Sequence, residues 1–400
     1  MTAVLDQPEV AGPRTVVPDR AAQPAQSGLR QLSGLRADDL ITVGGAAASA
    51  VAMGLLLFGR LAPLAGVFGF VVVTYGLFLA VYAFLVSLTE ERPAVVDKVM
   101  AALMTTAAAV ALFALVTVIV FTFVKGYTAL VKTNLYTEDM KTTGPADPLS
   151  QGGIVHALVG TLVIIGLALV LTVPLGLACA VFLNETRSRA GRLVRTVVDA
   201  MTALPSILAG LFILAVWIII LGFDRSGLAA ALAVAIMMLP IIIRSADVVL
   251  RLVPGNLREA AAALGAPQWR TVWHVVLPTA RSGLTTSVIL GVARGIGETA
   301  PVLLTSGVAS TTNLNPFEGP MMSLPLLTFT FVRSGQNTLI DRAFATASVL
   351  MVLVLILFTA ARLLGGRPAG HVSKRGARRF AARSQRDLTR IDPRNPPEVV

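Results

Sequence analysis

Hydrophobic positions in this chain fall in long blocks, without the spacing that would give a helix or strand one apolar face. Stretches without Asp, Glu, Lys or Arg span Leu40–Gly59, Leu61–Thr89, Val99–Val124, Ile154–Asn184, Ala200–Phe223, Ser226–Ile243 and Ala343–Ala361. An eighth, Ser282–Val308, is broken only by Arg294 and Glu298. A helix needs about 20 apolar residues to cross a bilayer, so the pattern predicts eight crossings. Buried helices of a soluble core would show shorter runs with polar faces between them. The predicted fold class is an all-α integral membrane protein.

Charge then orients the helices. Only 14% of the 400 residues are charged and 55% are hydrophobic, against roughly 25% charged residues in an average soluble domain. The tail from Arg362 carries ten Lys/Arg against three acids, and the segments Glu185–Asp199 and Arg251–Arg281 carry four arginines each. With eight spans these three segments share one side with the N-terminus, so the positive-inside rule makes that side cytoplasmic. Arg60, Lys125–Gln151, Phe223–Ser226 and Thr311–Asp341 are left outside. The net charge of +11 is then a topology signal, with anionic membrane lipid as the natural neighbour of the tail. Nucleic-acid binding would also explain a basic tail, but topology is the simpler reading, and no nucleic-acid partner is expected.

Residues 1–39 are rich in Pro, Ala and Gln, with balanced charge, and are expected to be disordered. No apolar region follows a basic start within the first 30 residues, so no signal peptide is expected. Cys179 is the single cysteine, which excludes a disulfide or Cys-based metal centre within one chain. His156, His274 and His371 lack metal-ligand spacing, and no metal is expected. A phosphate-cradling Gly-x-x-x-x-Gly-Lys-Ser/Thr run is absent, as are Gly-x-Ser-x-Gly and His-Glu-x-x-His. The polar chemistry is left to loops and to a few charges at helix ends or within helices.

One cytoplasmic loop, Pro254–Pro278, stands out. Asn256 suits an N-cap, and Glu259 three residues on can close a capping box. Ala260–Leu264 favour helix, Gly265 suits the left-handed position beyond its end, and Pro267 cannot continue it. A second helical stretch places Trp269, Val272, Trp273 and Val276 on one stripe, expected to lie on the membrane-side helices until Pro278 stops it. An amphipathic interfacial hairpin would share these features. The spacing is more specific: Glu259-Ala260-Ala261, three residues, Gly265, nine residues, Val275, one residue, Leu277-Pro278. This resembles the EAA loop of ATP-binding-cassette importer permeases. The resemblance implies that Glu259, Ala260, Ala261 and Gly265 couple the chain to an ATPase subunit.

Other segments resemble the phosphate-specific permeases of the PstA type, over roughly Val96–Gly365. They are Gly152-Gly153-Ile154, Gly160-Thr161, Pro174-Leu175-Gly176, Phe182-Leu183-Asn184-Glu185, Leu204–Phe212, Met322–Leu326 and, most specific, Ala293-Arg294-Gly295-Ile296-Gly297-Glu298-Thr299-Ala300-Pro301. Pro174, Pro205 and Pro240 can be simple kinks or features of a rocking pathway. Arg244 and Asp247, three apart, can pair on one helical face, and match an Arg-x-x-acid pair of the family. Arg294 and Glu298 lie four apart within a span, where an unpaired charge is costly and usually functional. These four are the expected substrate-pathway residues, with an ordinary boundary ion pair as the alternative role for the first pair and helix packing for the second.

The implied organisation has a disordered cytoplasmic segment (1–39), two extra transmembrane helices (40–92), a six-helix type I, MetI-like permease core (93–365) containing the coupling loop (254–278), and a basic cytoplasmic tail (366–400). The implied function is phosphate import across the plasma membrane, with the chain itself not an enzyme. Implied partners are a PstC-like second permease, an ATP-binding-cassette ATPase dimer and an extracytoplasmic phosphate-binding protein. No cofactor is expected on this chain, because ATP would be bound by the partner subunits. Sulfate or molybdate import is the alternative within the superfamily. An ATP-independent transporter or channel would leave the EAA loop unexplained and calls for an inverted repeat that the sequence lacks; a membrane scaffold without transport is a further class.

Overall fold

The computed structural model describes residues 37–61, 66–186 and 188–365, together with 381, 382 and 384. The expected disordered segment, up to residue 36, and the basic tail beyond residue 365, apart from those three positions, lie outside the described residues. Everything regular among the described residues is helical.

Packing divides the chain into two compact units, Met1–Phe113 and Ala114–Val400. In the first, α1 (Ala37–Leu56), prolonged by a π-helical turn at Leu57–Leu61, packs on α2 (Val67–Ser87). Ala46, Tyr82 and Val86 form a small core, joined by Val95, Val99 and Ala102 of α3 (Arg92–Leu130). Tyr75 and Thr106 share a hydroxyl–hydroxyl bond of 2.6 Å, which satisfies two polar groups that hydrocarbon could not. The division falls inside α3, at Phe113, whereas the expected boundary between the two extra helices and the permease core lies at residue 92.

The second unit begins with the remainder of α3, followed by α4 (Asn134–Thr137) and α5 (Val155–Glu185). Next come α6 (Arg189–Thr202), α7 (Ser206–Ile213) with a π-helical continuation through Ile220, and α8 (Gly227–Arg251). The loop helix α9 (Gly255–Ala263) precedes α10 (Gln268–Thr271), which runs through a π-helical segment at Val272–Val276 into α11 (Leu277–Ile296). Finally come α12 (Ala300–Thr305), α13 (Leu324–Val332) and α14 (Asn337–Gly365). Helix α8 is the axis of this unit: 61% of its apolar window is buried, against 28% for α5. Its Ala230, Ala231, Val234, Met238 and Ile242 meet Ile164, Ile165 and Ala168 of α5 in the main core. Pro174 and Pro240 are both carried inside their helices.

Among the described residues seven helices are long and apolar enough to cross a membrane, and one bent pair adds an eighth candidate. The bent pair corrects the fifth predicted crossing. The block Ala200–Phe223 is not one straight rod: Arg189–Thr202 and Ser206–Ile220 meet at 105°. Pro205 sits at the corner, where its fixed φ and missing N–H disfavour continuation. Arginines at 189, 192 and 195 line one side of α6, so only its other side is apolar.

The seventh crossing is corrected at both ends. Its helix starts at Gln268, not near Ser282, because Pro278 does not stop it. The π-helical turn at Val272–Val276 ends two residues before that proline, loosening the hydrogen-bond ladder where a proline would otherwise clash. At the other end the helix stops at Ile296, and Gly297–Thr299 separate it from α12.

Candidate functional site

Two places collect the chemistry, the loop at the ends of α5 and α8 and the break after α11. In the loop, α9 is nine residues long and lies exposed. Its end is a Schellman turn: Ala266 N–H donates to Ala261 C=O at 3.0 Å and Gly265 N–H to Ala262 C=O at 2.9 Å. Gly265 has φ +75°, as its expected left-handed position requires, and no atom would meet an added Cβ within 4 Å. Side chains there are excluded by backbone strain alone.

The start of α9 differs from expectation. Pro254 is the N-cap and makes no side-chain cap bond, so Asn256 and Glu259 form no capping box. The predicted stripe also splits. Val272 and Val276 are buried, but Trp269 and Trp273 are 60% and 67% exposed. The π-helical segment has a longer period than 3.6, which rotates the tryptophans off the valine face. A second set of contacts fastens the loop to α5: Arg258 Nη2 donates to Asn184 Oδ1 (2.8 Å) and lies 3.3 Å from Glu185 Oε1. Gln268 Nε2 donates to Glu185 Oε2 at 3.2 Å.

Arg244 and Asp247 do not pair with each other. Arg244 donates to Asp199 through Nε at 3.1 Å and Nη2 at 2.5 Å. Asp247 accepts from Arg195 at 3.0 Å and from Arg251 at 2.8 Å. The reason is α6, whose Arg195 and Asp199 stand one turn apart and offer each residue of α8 an opposite charge. Asp247 is 6% exposed and would be costly unpaired. The arginine side chains that hold it are 40% and 54% exposed, so each bond is screened and individually modest.

At the second place, Arg294 occupies the last turn of α11 and Glu298 follows the helix end. They approach to 2.9 Å, Nη2 to Oε1. Among the described residues no N–H points at that oxygen, which has no hydrogen-bond partner there, so its attraction to Arg294 is Coulombic only. Glu298 is 6% exposed, whereas the Arg294 side chain is 52% exposed.

The segments singled out in the sequence meet in pairs around this break. Gly210 of α7 packs on Pro301 of α12, where an added Cβ would lie 2.6 Å from Pro301 Cα. Gly160 of α5 packs still more closely on Met322 C=O, and Thr161 Oγ1 accepts from Leu324 N–H at 2.8 Å.

Residues 172–368 match the family model described as the binding-protein-dependent transport system inner membrane component. The phosphate transport system permease protein PstA 1 of Mycobacterium tuberculosis (strain CDC 1551 / Oshkosh) is 40% identical over 256 residues, covering 64% of this chain and 84% of its own length. PstA of Pasteurella multocida (strain Pm70) is 36% identical over 248 residues, 61% of this chain and 86% of its own. Among solved structures, an inward-facing MetNI methionine ABC transporter aligns over 54% of this chain and 95% of its own, at 21% identity and TM-score 0.41. The chain belongs to the PstA family.

The family-model region of this PstA-family chain holds α9 with its terminal turn and the Arg294–Glu298 pair, while α1 to α4 precede it. With its apolar helices, this makes it a multi-pass membrane protein. The sequence alone assigns no site role to several of its polar residues. Asp199 and Arg195 enter there only as part of the basic segment Glu185–Asp199 that orients the helices. Arg342 is 1% exposed and donates from Nη2 to the carbonyls of Pro148 (2.8 Å) and Gln151 (2.6 Å), pinning the loop after α4. His156 is 2% exposed, both ring nitrogens lack a partner among the described residues, and it borders a cavity of about 230 Å³ with Thr143, Ser310 and Thr330. The only signal for these was a charge or imidazole at the edge of an apolar run. Asp139 ties the same loop to Thr312: its carboxylate accepts from the N–H of Lys141 (3.1 Å) and of Thr312 (3.3 Å). These bonds, that of Lys141 foremost, hold it below the usual carboxylate range.

Proposed function

We propose that this chain is the membrane-spanning permease subunit of an ATP-driven phosphate importer. The observation that carries the reading is the 40% identity along 84% of a phosphate transport system permease. The coupling loop and Arg294–Glu298 both lie inside the family-model region. Sulfate or molybdate import has no such support.

In this reading α9 and the Arg258–Glu185 contacts face the cytoplasm with both termini, and the loop between α3 and α5 faces outside. Glu259, Ala260, Ala261 and Gly265 form the coupling element. An ATP-binding-cassette ATPase dimer grips the exposed α9 and hydrolyses ATP, so this chain carries no cofactor and catalyses nothing itself. A PstC-like second permease completes the pathway, and an extracytoplasmic binding protein delivers phosphate to it.

Arg294 supplies the contact chemistry. A guanidinium half exposed on a membrane helix cannot face hydrocarbon cheaply, so it faces the second permease or a wet pathway. Its planar fork suits phosphate oxygens, and Glu298 neutralises it between passages. Arg244 and Asp247, held by α6, position the cytoplasmic end of α8. The deciding experiment is ATP-dependent uptake of phosphate against sulfate by the reconstituted complex. Equal uptake of both anions, or sulfate preference, refutes the cargo.

A further inference from the structure

A cavity of about 550 Å³ opens where α5 ends, α6 begins and α8 and α9 meet. Its wall holds four guanidiniums, Arg192, Arg195, Arg251 and Arg258, with Ser188 and Asn184 between them. The carboxylates paired with these arginines are Asp247, shared by Arg195 and Arg251, and Glu185, which meets Arg258. Four positive charges thus face two negative ones.

Helix ends account for part of this. Arg195 donates to Leu183 C=O and Arg258 to Leu250 C=O, each capping the last turn of α5 or α8. Arg192 has no such duty: among the described residues its guanidinium has neither a carboxylate nor a carbonyl partner. The Nε of Arg258 is buried and also lacks an acceptor. Guanidiniums carry five donors each and accept nothing, so the wall is rich in N–H groups and short of oxygens. The α6 N-terminus adds a positive dipole end beside Ser188, whose Oγ accepts from Gly191 N–H at 3.2 Å.

We infer that this cavity is a second anion site, separate from Arg294, that takes a divalent phosphoryl group. The two uncompensated charges match a phosphate dianion, and the fork of Arg192 supplies the missing directional donors. The group comes either from free phosphate on the side to which cargo is delivered, a choice that rests on the proposed function, or from an anionic lipid headgroup. Either would sit against Arg258, which fastens α9, and would therefore load the coupling loop directly.

The test uses the full chain and Arg192→Gln, which removes the unpaired guanidinium and leaves every described ion pair in place. In phosphatidylcholine nanodiscs, equilibrium binding of inorganic phosphate is measured for wild type, Arg192→Gln, Arg192→Lys and Arg294→Lys. A free-phosphate source predicts binding weakened about tenfold or more in Arg192→Gln, less in Arg192→Lys, and retained in Arg294→Lys. A headgroup source predicts no such binding, but phosphatidic acid, whose headgroup is a phosphomonoester, carried with the wild-type chain in native mass spectrometry and lost in Arg192→Gln. Thermal melting verifies that each variant is folded. The inference is overturned if Arg192→Gln matches wild type in both arms, whatever Arg294→Lys does to phosphate binding. Neither result touches the cargo assignment, which stands or falls on uptake by the complex.

Discussion

The contact between Gly210 and Pro301 can be weighed by making one substitution at two positions. Replacing a helical glycine by alanine favours helix by about 0.8–1.0 kcal/mol wherever the new methyl has room. At Gly166 of α5 nothing lies within 4 Å of the added Cβ, so Gly166→Ala should be neutral or stabilising. At Gly210 the methyl would lie 2.6 Å from Pro301 Cα and 3.2 Å from Pro301 O. Carbon atoms prefer roughly 3.5–4.0 Å, so α12 must retreat by about an ångström. The obstacle is backbone with no rotamer to yield, and overpacking of this kind costs about 1–3 kcal/mol. The helix term is common to both variants and cancels in their difference. Unfolding midpoints of the two purified variants in mixed denaturing detergent should therefore differ, with Gly210→Ala the less stable by about 1–3 kcal/mol. Uptake should fall as well, because Pro301 is three residues from Glu298. Equal midpoints for the two variants would refute the claim that α7 and α12 are locked by this contact.

Gly265→Val should leave the chain inserted but weaken ATPase association, since φ +75° disfavours a β-branched residue even in open space; normal co-purification and transport would remove α9 from the coupling role. Arg294→Lys keeps the charge and loses the fork, so assembly should be normal and phosphate uptake strongly reduced. Full uptake there, or loss of assembly in both Arg294→Lys and Glu298→Gln, would assign the pair to packing. Asp139 has a depressed folded-state pKa, so its stabilisation is present above the ordinary value of 3.8 and lost as pH falls through the lower folded value. Hydrogen exchange at the amides of Lys141 and Thr312 should stay constant from neutral pH to near 3.8, after the intrinsic rate is corrected for, and rise below it; Asp139→Asn should abolish that transition. Cysteines placed in the 125–151 loop of a chain lacking Cys179 should react with an impermeant reagent in sealed cells, and cysteines in the tail should not; labelled tails would invert the orientation.

Helix existence was legible because apolar run length alone states it, and so was Gly265, whose neighbours Ala260–Leu264 and Pro267 bracket a helix end. Straightness was not. Nothing in Ala200–Phe223 distinguishes a kink at Pro205 from a 105° corner, and Pro278 looked like a terminator because π-helical accommodation leaves no compositional mark. The loop charges misled for a different reason. Spacing within one helix suggested Arg244 with Asp247, but the partners came from α6, and crossed pairing between helices has no sequence period. Arg294 with Glu298 was readable because no other described helix supplies either residue with a partner.

The corner between α6 and α7 has a mechanical consequence. One arm is fastened near its end, Asp199 to Arg244 of α8; the other is seated by Gly210 against Pro301 of α12. A rod bent at 105° and gripped on both arms works as a crank: a push along the axis of the first arm emerges as a sideways swing of the second. Tilting α6 would therefore drive α7 across Pro301 and shift the ground beneath Glu298. The arm that bears the arginines and the turn that bears the Arg294–Glu298 pair would then share one stroke.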